Sequence, residues 1–338
     1  MTTNNTSTNE SLKKWDNLPT KEFKSLLLGN GFSINIWEKF NYDSLLELAK
    51  RESCDRKLPD EVVNLFTDLG SSNFEDVLRI LYHAMLVDSQ LGNPQKKSID
   101  SLYRSTKEAL ASAVKFAHIP YSEGANFREI NKAFAGYQNV FTTNYDLIPY
   151  WSLMADPSKF YDYFWGDDSS FDIEDSEPWD EKKTRLYHLH GAIHLVEKAD
   201  GITKKLTVDK GKPLSALFDL GHPEQTPLFI SESNYKEKLL RIRRNDYLRF
   251  CYEKLESVND GLVVLGHSLN ENYDQHIIKA INSQPCGKVA IGVWSGLSDK
   301  AIALFIKRIE QALPSIKLFF FDSKTHPLGG SALNTKDK

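Results

Sequence analysis

Cysteine is scarce in this chain of 338 residues, which holds only Cys54, Cys251 and Cys286. They are odd in number, far apart and form no C-x-x-C pair. That excludes a disulfide framework and a cysteine-built zinc site, and it suits a reducing cytoplasm. Long apolar runs are missing too: nothing approaches the ~18 residues needed to span a bilayer. Met1 to Lys14 is polar and Thr/Asn-rich, without the apolar core of a signal peptide. A soluble, cytoplasmic protein is expected. A large charge of one sign is also absent. A formal net charge of −4 gives no broad attraction for nucleic acid or an anionic membrane, so neither is expected as a partner. What is present is apolar: 41% hydrophobic and 12% aromatic residues suffice for a sizeable core, in one large α/β domain or two ordinary ones.

Residues 1–20 read as a mobile tail, residues 21–330 as the folded domain and residues 331–338 as a second tail. Lys24 to Leu28 is an apolar run that stops at Gly29-Asn30-Gly31-Phe32-Ser33. It reads as a buried strand entering a glycine turn, or as one arm of an Asn-Gly hairpin. From about 42 to 137 the spacing predicts helices. Asp43 is the expected cap of the first, Asp60 or Glu61 opens the second, and Phe74 to Met85 falls at three- and four-residue intervals. Leu102 to Phe116 and Phe127 to Phe134 repeat the pattern. This block is too long for a plain strand–helix connection, so it is expected to be a large helical insertion.

Val140-Phe141-Thr142-Thr143-Asn144-Tyr145-Asp146 is an apolar strand with an abruptly polar end, and Pro149 soon follows. The strongly acidic stretch 156–181 reads as a surface loop pinned by its aromatics, or as a functional acidic patch. Arg185 to Val196 carries Tyr187-His188-Leu189-His190-Gly191. A polar hairpin is expected over 198–212 around Asp200-Gly201, and a short strand at Pro227 to Ile230. One long helix is expected from Ser233 or Asn234 through Leu255. Its Arg241, Arg243 and Arg244 would meet a phosphate or the acidic loop. The last third alternates strand and helix: Leu262–Leu265, Ile277–Ile281, Val289–Trp294, Ser298–Ile309 and Lys317–Phe321. That rhythm is the mark of βαβ units in a doubly wound parallel sheet, a Rossmann-like α/β fold.

Ligands of such sheets bind outside the carboxyl ends of the strands. Polar or glycine residues stand at four of those ends, at Gly29, Thr142, Gly266 and Ser295. Glycine there admits a ligand to the backbone, or simply makes a tight turn. If one strand continued through His188-Leu189-His190, both rings would share a face with His194. The histidines would then be a metal pair, a hydrogen-bonded core pair, or a site with a single acid/base histidine.

Taken together these segments resemble the sirtuins. Gly29-Asn30-Gly31-Phe32-Ser33 is similar to their glycine motif and Thr143-Asn144-Tyr145-Asp146 to their Gln-Asn-x-Asp segment. Leu189-His190-Gly191 resembles the segment of their catalytic histidine. Gly266-His267-Ser268-Leu269, with Asp274 beyond it, resembles their later glycine-serine motif. The four zinc-binding cysteines of sirtuin deacylases are missing, and Asn30 and Thr143 depart from the deacylase pattern. In these respects, and in the helical block with Asn73-Phe74-Glu75-Asp76, the chain looks like the sirtuin-like NAD+ hydrolases of bacterial anti-phage defence.

That resemblance implies a sirtuin-type fold, NAD+ as substrate, no zinc, and cleavage to nicotinamide and ADP-ribose. By the same analogy Asn144 holds the attacking water or the ribose. Asp146 holds the carboxamide, and His190 engages the ribose hydroxyls and assists proton removal. Gly29, Asn30, Gly31, Phe32 and Ser33 would line the diphosphate and ribose with Thr143 and Tyr145. Gly266, His267, Ser268 and Asp274 would face them, with Ser295 on the adenosine side. A constantly active hydrolase would drain the cofactor pool, so control by homo-oligomerisation or another polypeptide is expected. Relatives of this short form pair with HerA-type ATPases or Argonaute-like proteins. The competing readings are an NAD-dependent protein deacylase or ADP-ribosyltransferase, and a non-catalytic NAD+ or ADP-ribose sensor.

Overall fold

The computed structural model describes residues 12–51, 56–91, 96–119, 126–165, 168–178, 180–198, 200–207, 227–231, 235–285 and 287–335. Cys54, Trp179, Cys286, the expected helix cap at Ser233 or Asn234, and the end of the 198–212 hairpin lie outside them. The first half runs β1 (Phe23–Leu28), α1 (Asn30–Ile36), α2 (Tyr42–Ala49), α3 (Asp60–Leu69), α4 (Phe74–Leu91), α5 (Lys96–Ala117), α6 (Phe127–Phe134), β2 (Asn139–Thr142) and α7 (Ile148–Met154). Next come β3 (Phe160–Tyr161), β4 (Thr184–His188), β5 (Gly191–Glu197), β6 (Thr203–Lys205) and β7 (Pro227–Phe229). The last third is α8 (Tyr235–Arg244), α9 (Asp246–Glu256), β8 (Gly261–Leu265), α10 (Glu271–Ser283), β9 (Lys288–Val293), α11 (Asp299–Ala312) and β10 (Lys317–Asp322).

Seven strands form one parallel sheet in the order β10-β9-β8-β1-β2-β4-β3. The chain order reverses at β1, so the switch point lies where the carboxyl ends of β8, β1 and β2 meet. Leu26 and Leu28 of β1 join one hydrophobic core, with residues of α1 to α7. Leu27 joins a second core, with residues of α8 to α11. Side chains alternate across a strand, so both faces of the sheet are covered and the Leu26–Leu28 part of β1 is apolar on both. Each fully buried leucine there contributes about 1.5–3 kcal/mol. The fold is α/β and Rossmann-like, as the strand–helix rhythm predicted.

Several local expectations change. The Asn-Gly hairpin is excluded, because β1 pairs in parallel on both sides and α1 follows it. Asn41, not Asp43, caps α2, its side chain accepting from the Ser44 N–H at 2.8 Å. The long helix expected to reach Leu255 is two helices, broken at Asn245, whose side chain accepts from the Leu248 N–H and so starts α9. Pro149 opens α7, where its missing N–H costs nothing. The tail boundary at residue 20 is also too late. Trp15 and Leu18 are buried, Lys13 bridges to Phe321, and Trp15 packs 5.0 Å from the Phe321 ring. At the other end Leu333 is buried and the Thr335 N–H donates to the Ile36 carbonyl, so this part of the expected second tail is held down.

The acidic segment is pinned as expected: Phe160, Tyr161, Tyr163 and Phe164 are buried. β5, β6 and β7 form a separate antiparallel sheet, and the β5–β6 hairpin turns at Asp200-Gly201. No helix among the described residues is long and apolar enough to cross a membrane.

Candidate functional site

The switch point opens into a cavity of about 280 Å³. Its sheet side is made by Asn30, Gly31, Thr143, Asn144, Tyr145, Asp146, Gly266, His267 and Ser268, and helices α2, α4 and α5 close the other side through Tyr42, Leu45, Phe74, Glu75, Leu110 and Val114. His190 and Asp274 complete the wall.

The glycine turn is held by backbone contact with the turn after β8. The Gly29 N–H donates to Leu265, the Gly31 N–H to Gly266 at 2.8 Å, and the Phe32 N–H back to Gly29. Gly266 has φ +69°, and a Cβ there would lie 2.3 Å from the Phe32 nitrogen. Only glycine fits. The turn is therefore glycine-rich because two backbones touch, and the N–H groups of Gly29, Gly31 and Phe32 are donated to backbone carbonyls.

Asn144 is the centre of the polar network. Its amide nitrogen donates to the Gly29 carbonyl at 3.1 Å and to Ser33 Oγ at 2.8 Å. Ser33 in turn donates to Asp146 Oδ2 at 2.6 Å, and Asp146 Oδ1 accepts from the Ile148 N–H at 2.8 Å. Those acceptors fix which way the Asn144 amide points. Its Oδ1 is then buried with no hydrogen-bond partner among the described residues, an arrangement that costs about 1–3 kcal/mol. Burial raises the Asp146 carboxyl to about 6, against the lowering pull of Ser33 and the Ile148 N–H.

His188 and His190 do not share a face. β4 ends at His188, the chain turns through Leu189-His190, and β5 begins at Gly191 with φ +74°. A Cβ on Gly191 would lie 2.1 Å from the Leu228 carbonyl oxygen, so the reversal requires glycine. His188 instead neighbours His194, their rings 5.1 Å apart. The metal pair drawn from an unbroken strand is thereby overturned. His190 Nε2 lies 2.8 Å from His276 Nε2 of α10, one ring donating and the other accepting. Burial, with smaller effects from His276 and Lys238, holds His190 well below the ordinary imidazole value. Burial also lowers His276 to about 3. Both are neutral at pH 7.

Lys238 of α8 is buried between two carboxylates. It donates to Glu75 of α4 and, at 3.2 Å, to Asp274 Oδ1 of α10. Asp274 sits where α10 kinks, at φ −125° and ψ 29°. Burial is the largest single effect and opposes its charge, but Lys238 together with His267, His190 and His276 outweighs it and keeps Asp274 well below the usual carboxylate range. At Glu75 burial prevails over Lys238 and the carboxyl is raised. His267 Nε2 lies 3.8 Å from Asp274 Oδ2. The ligand atoms of His190, Asp274 and His276 lie within 4.8 Å of one another and are the described group that could hold a metal ion. In the fold the histidines hydrogen-bond each other directly and an ammonium occupies Asp274, which is a proton-sharing arrangement.

Of the residues singled out from sequence, Gly29, Phe32 and Ser33 do not line the cavity: Gly29 and Ser33 support Asn144, and Phe32 is core beside Phe134. Ser295 follows β9, one strand beyond β8, is exposed and does not line the cavity. The Arg241 cluster lies elsewhere, with Arg241 paired to Glu197. Sequence reasoning missed Lys238, His276 and Tyr42. His276 had a signal, standing four residues before Ala280 on the apolar stripe of α10. Lys238 had none, since it looks like any solvated lysine of a charged helix. A family profile described as a domain of unknown function (DUF4917) matches residues 26–328, and the chain belongs to that family. A comparison with curated proteins finds no match.

Proposed function

We propose that the chain is a sirtuin-like NAD+ hydrolase that releases nicotinamide and ADP-ribose. The observation that carries this reading is Asn144, whose amide is locked by two donated hydrogen bonds while its buried oxygen stays unpaired at the cavity wall. It stands beside Asp146 and opposite carboxylates that suit a positively charged transition state.

In the reaction the bond between ribose C1′ and the nicotinamide nitrogen breaks. Nicotinamide leaves with the electron pair and becomes neutral, water oxygen bonds to C1′, and the water loses a proton. Asn144 Oδ1 is suited to accept a hydrogen bond from that water. The resemblance gave proton removal to His190, but an imidazole held well below its ordinary value is a weak base. Asp146, raised to about 6, is matched to a proton acceptor near neutral pH. Neutral His190 would orient a ribose hydroxyl.

The chain would act as the cofactor-depleting effector of a bacterial anti-phage system. It would be restrained or triggered by self-assembly or by a HerA-type ATPase or Argonaute-like partner. Purified protein incubated with NAD+, alone and with the product of its genomic neighbour, should yield nicotinamide and ADP-ribose. Asn144→Ala and His190→Ala should each lower turnover by about 10²-fold or more. No nicotinamide release under either condition would overturn the hydrolase reading. Undiminished turnover in both variants would overturn the site.

A further inference from the structure

We infer that His276 is a positioning residue: its Nε2–H donates to His190 Nε2 and so fixes His190 as the Nδ1–H tautomer, a hydrogen-bond donor rather than a base. What His190 meets in the cavity rests on the hydrolase reading, whereas the tautomer rests on the two rings themselves.

The contact allows two arrangements. His190 Nε2 and His276 Nε2 lie 2.8 Å apart, with the ring planes inclined by 28°. A neutral imidazole carries its proton on one nitrogen and leaves the other bare. If His190 donated, His276 would accept at Nε2 and carry its own proton on Nδ1. If His276 donates, its Nδ1 is a bare lone pair.

Burial chooses between them. His276 is 0% exposed, and its Nδ1 is enclosed without a hydrogen-bond partner among the described residues. In folded backbones an orphaned buried N–H is rare and an unfilled acceptor lone pair less so. The same desolvation applies to a ring N–H, so the arrangement that strands only a lone pair is favoured. His276 is the donor.

The donor is also well anchored. It stands on α10, and the Tyr252 hydroxyl of α9 donates to its carbonyl at 2.9 Å. His190 sits in the reversal between β4 and β5, where its carbonyl accepts from the Ile230 N–H at 2.8 Å. Its ring is tied to α10 through Nε2 alone. With Nε2 taken, Nδ1 is the nitrogen left to serve the cavity that His190 lines. Unlike the Nδ1 atoms of His188, His194 and His276, it is not enclosed without a partner. An Nδ1–H can donate to a ribose hydroxyl oxygen but cannot take a proton from it. His276 thereby governs a reaction it does not touch.

The test is nitrogen NMR of the full chain labelled at histidine, with ring nitrogens correlated to ring protons at pH 7. Signals are assigned by their loss in His190→Phe and His276→Phe. His190 should show an Nδ1–H ring and His276 an Nε2–H ring. In His276→Phe the donor is gone, and His190 should become a mixture of both tautomers. Nicotinamide release should then fall by about tenfold or more in kcat/KM. His276→Gln can offer an N–H at the same place, so it should restore the single tautomer and most of the rate. It also serves for assignment if the phenylalanine variant melts early. An Nε2–H pattern at His190 in the unaltered protein, or undiminished release in His276→Phe, would overturn the inference. So would stoichiometric zinc that shifts the Nε2 signals of both rings together, since the pair would then be a set of metal ligands. The expected tautomers without NAD+ cleavage would sink the hydrolase reading and leave the pair standing. Cleavage with the opposite tautomers would do the reverse.

Discussion

His188 and His190 are separated by one residue, yet they end in different kinds of surroundings. His188 lies with His194, which stacks on Tyr150 at 4.5 Å, and the Nδ1 atoms of both histidines are buried without a partner among the described residues. His190 faces the cavity, and its Nε2 is tied to His276. Burial alone therefore does not separate the two pairs, since all four are buried and held below the ordinary imidazole value. The distinction lies in what each ring can reach. One pair is enclosed by packing, and the other borders a space with an unpaired acceptor and three carboxylates.

The comparison can be broken most forcefully at Lys238, whose ammonium bridges Glu75 and Asp274 of the cavity wall. Lys238→Met leaves Glu75 and Asp274 facing each other without their shared cation. Breaking a buried ion pair costs about 3–5 kcal/mol. Because the two carboxylate side chains keep 17% and 14% exposure, the lower end, about 3 kcal/mol, is expected in urea denaturation. An unchanged midpoint would mean that the cluster contributes nothing to holding α4, α8 and α10 together.

Asp146 sharpens the comparison through pH. Its carboxyl is raised to about 6 by burial, so the native state keeps a proton that the unfolded chain releases near 3.8. Stability from this group is therefore present at low pH and lost as pH rises from about 4 to 6, by on the order of 3 kcal/mol. In the proposed mechanism turnover runs the other way, because it needs the ionised carboxylate. The rate of nicotinamide release should climb through pH 6. In Asp146→Asn the climb should disappear along with most of the activity. A rate that is flat across pH 5–7 in the unaltered protein would remove Asp146 from the proton step.

How much of this was legible beforehand follows from the kind of signal each feature leaves. The parallel sheet was, because Leu262–Leu265, Val289–Val293 and Lys317–Phe321 are apolar runs separated by helical periods, and burial on both faces demands such runs. The strand ends at Gly29, Asn144 and Gly266 were legible for a related reason: an apolar run that turns polar or glycine-rich marks the sheet's edge. The sharing of work between them was not. The glycines answer to contact between two backbones, which depends on β1 and β8 being neighbours although more than two hundred residues separate them. The break between His188 and His190 had one local sign, Gly191, but its φ of +74° follows from the Leu228 carbonyl of a distant strand. Lys238 was invisible because burying a lysine needs two acids from two other helices, and no local pattern records them.

The smallest effect separates the two histidine pairs most cleanly. His194→Phe replaces a ring that already stacks on Tyr150 and whose Nδ1 is unpaired, so at pH 7 stability should move by no more than about 1 kcal/mol. The difference appears on acidification. His194 is held well below 6.5, chiefly by burial and then by His188 and Lys205, so the unfolded chain takes up its proton first. Stability from this group is complete above about pH 6.5 and lost below it, with a slope approaching 1.4 kcal/mol per pH unit for one histidine. The phenylalanine variant should lose that part of the slope between pH 6.5 and 5 and keep its turnover of NAD+. His190→Phe should flatten the same stability profile, because its ring is also buried neutral, but at the cost of turnover. If His194→Phe abolished turnover while its stability at pH 7 held, the two pairs would be one functional unit and the division drawn at Gly191 would be wrong.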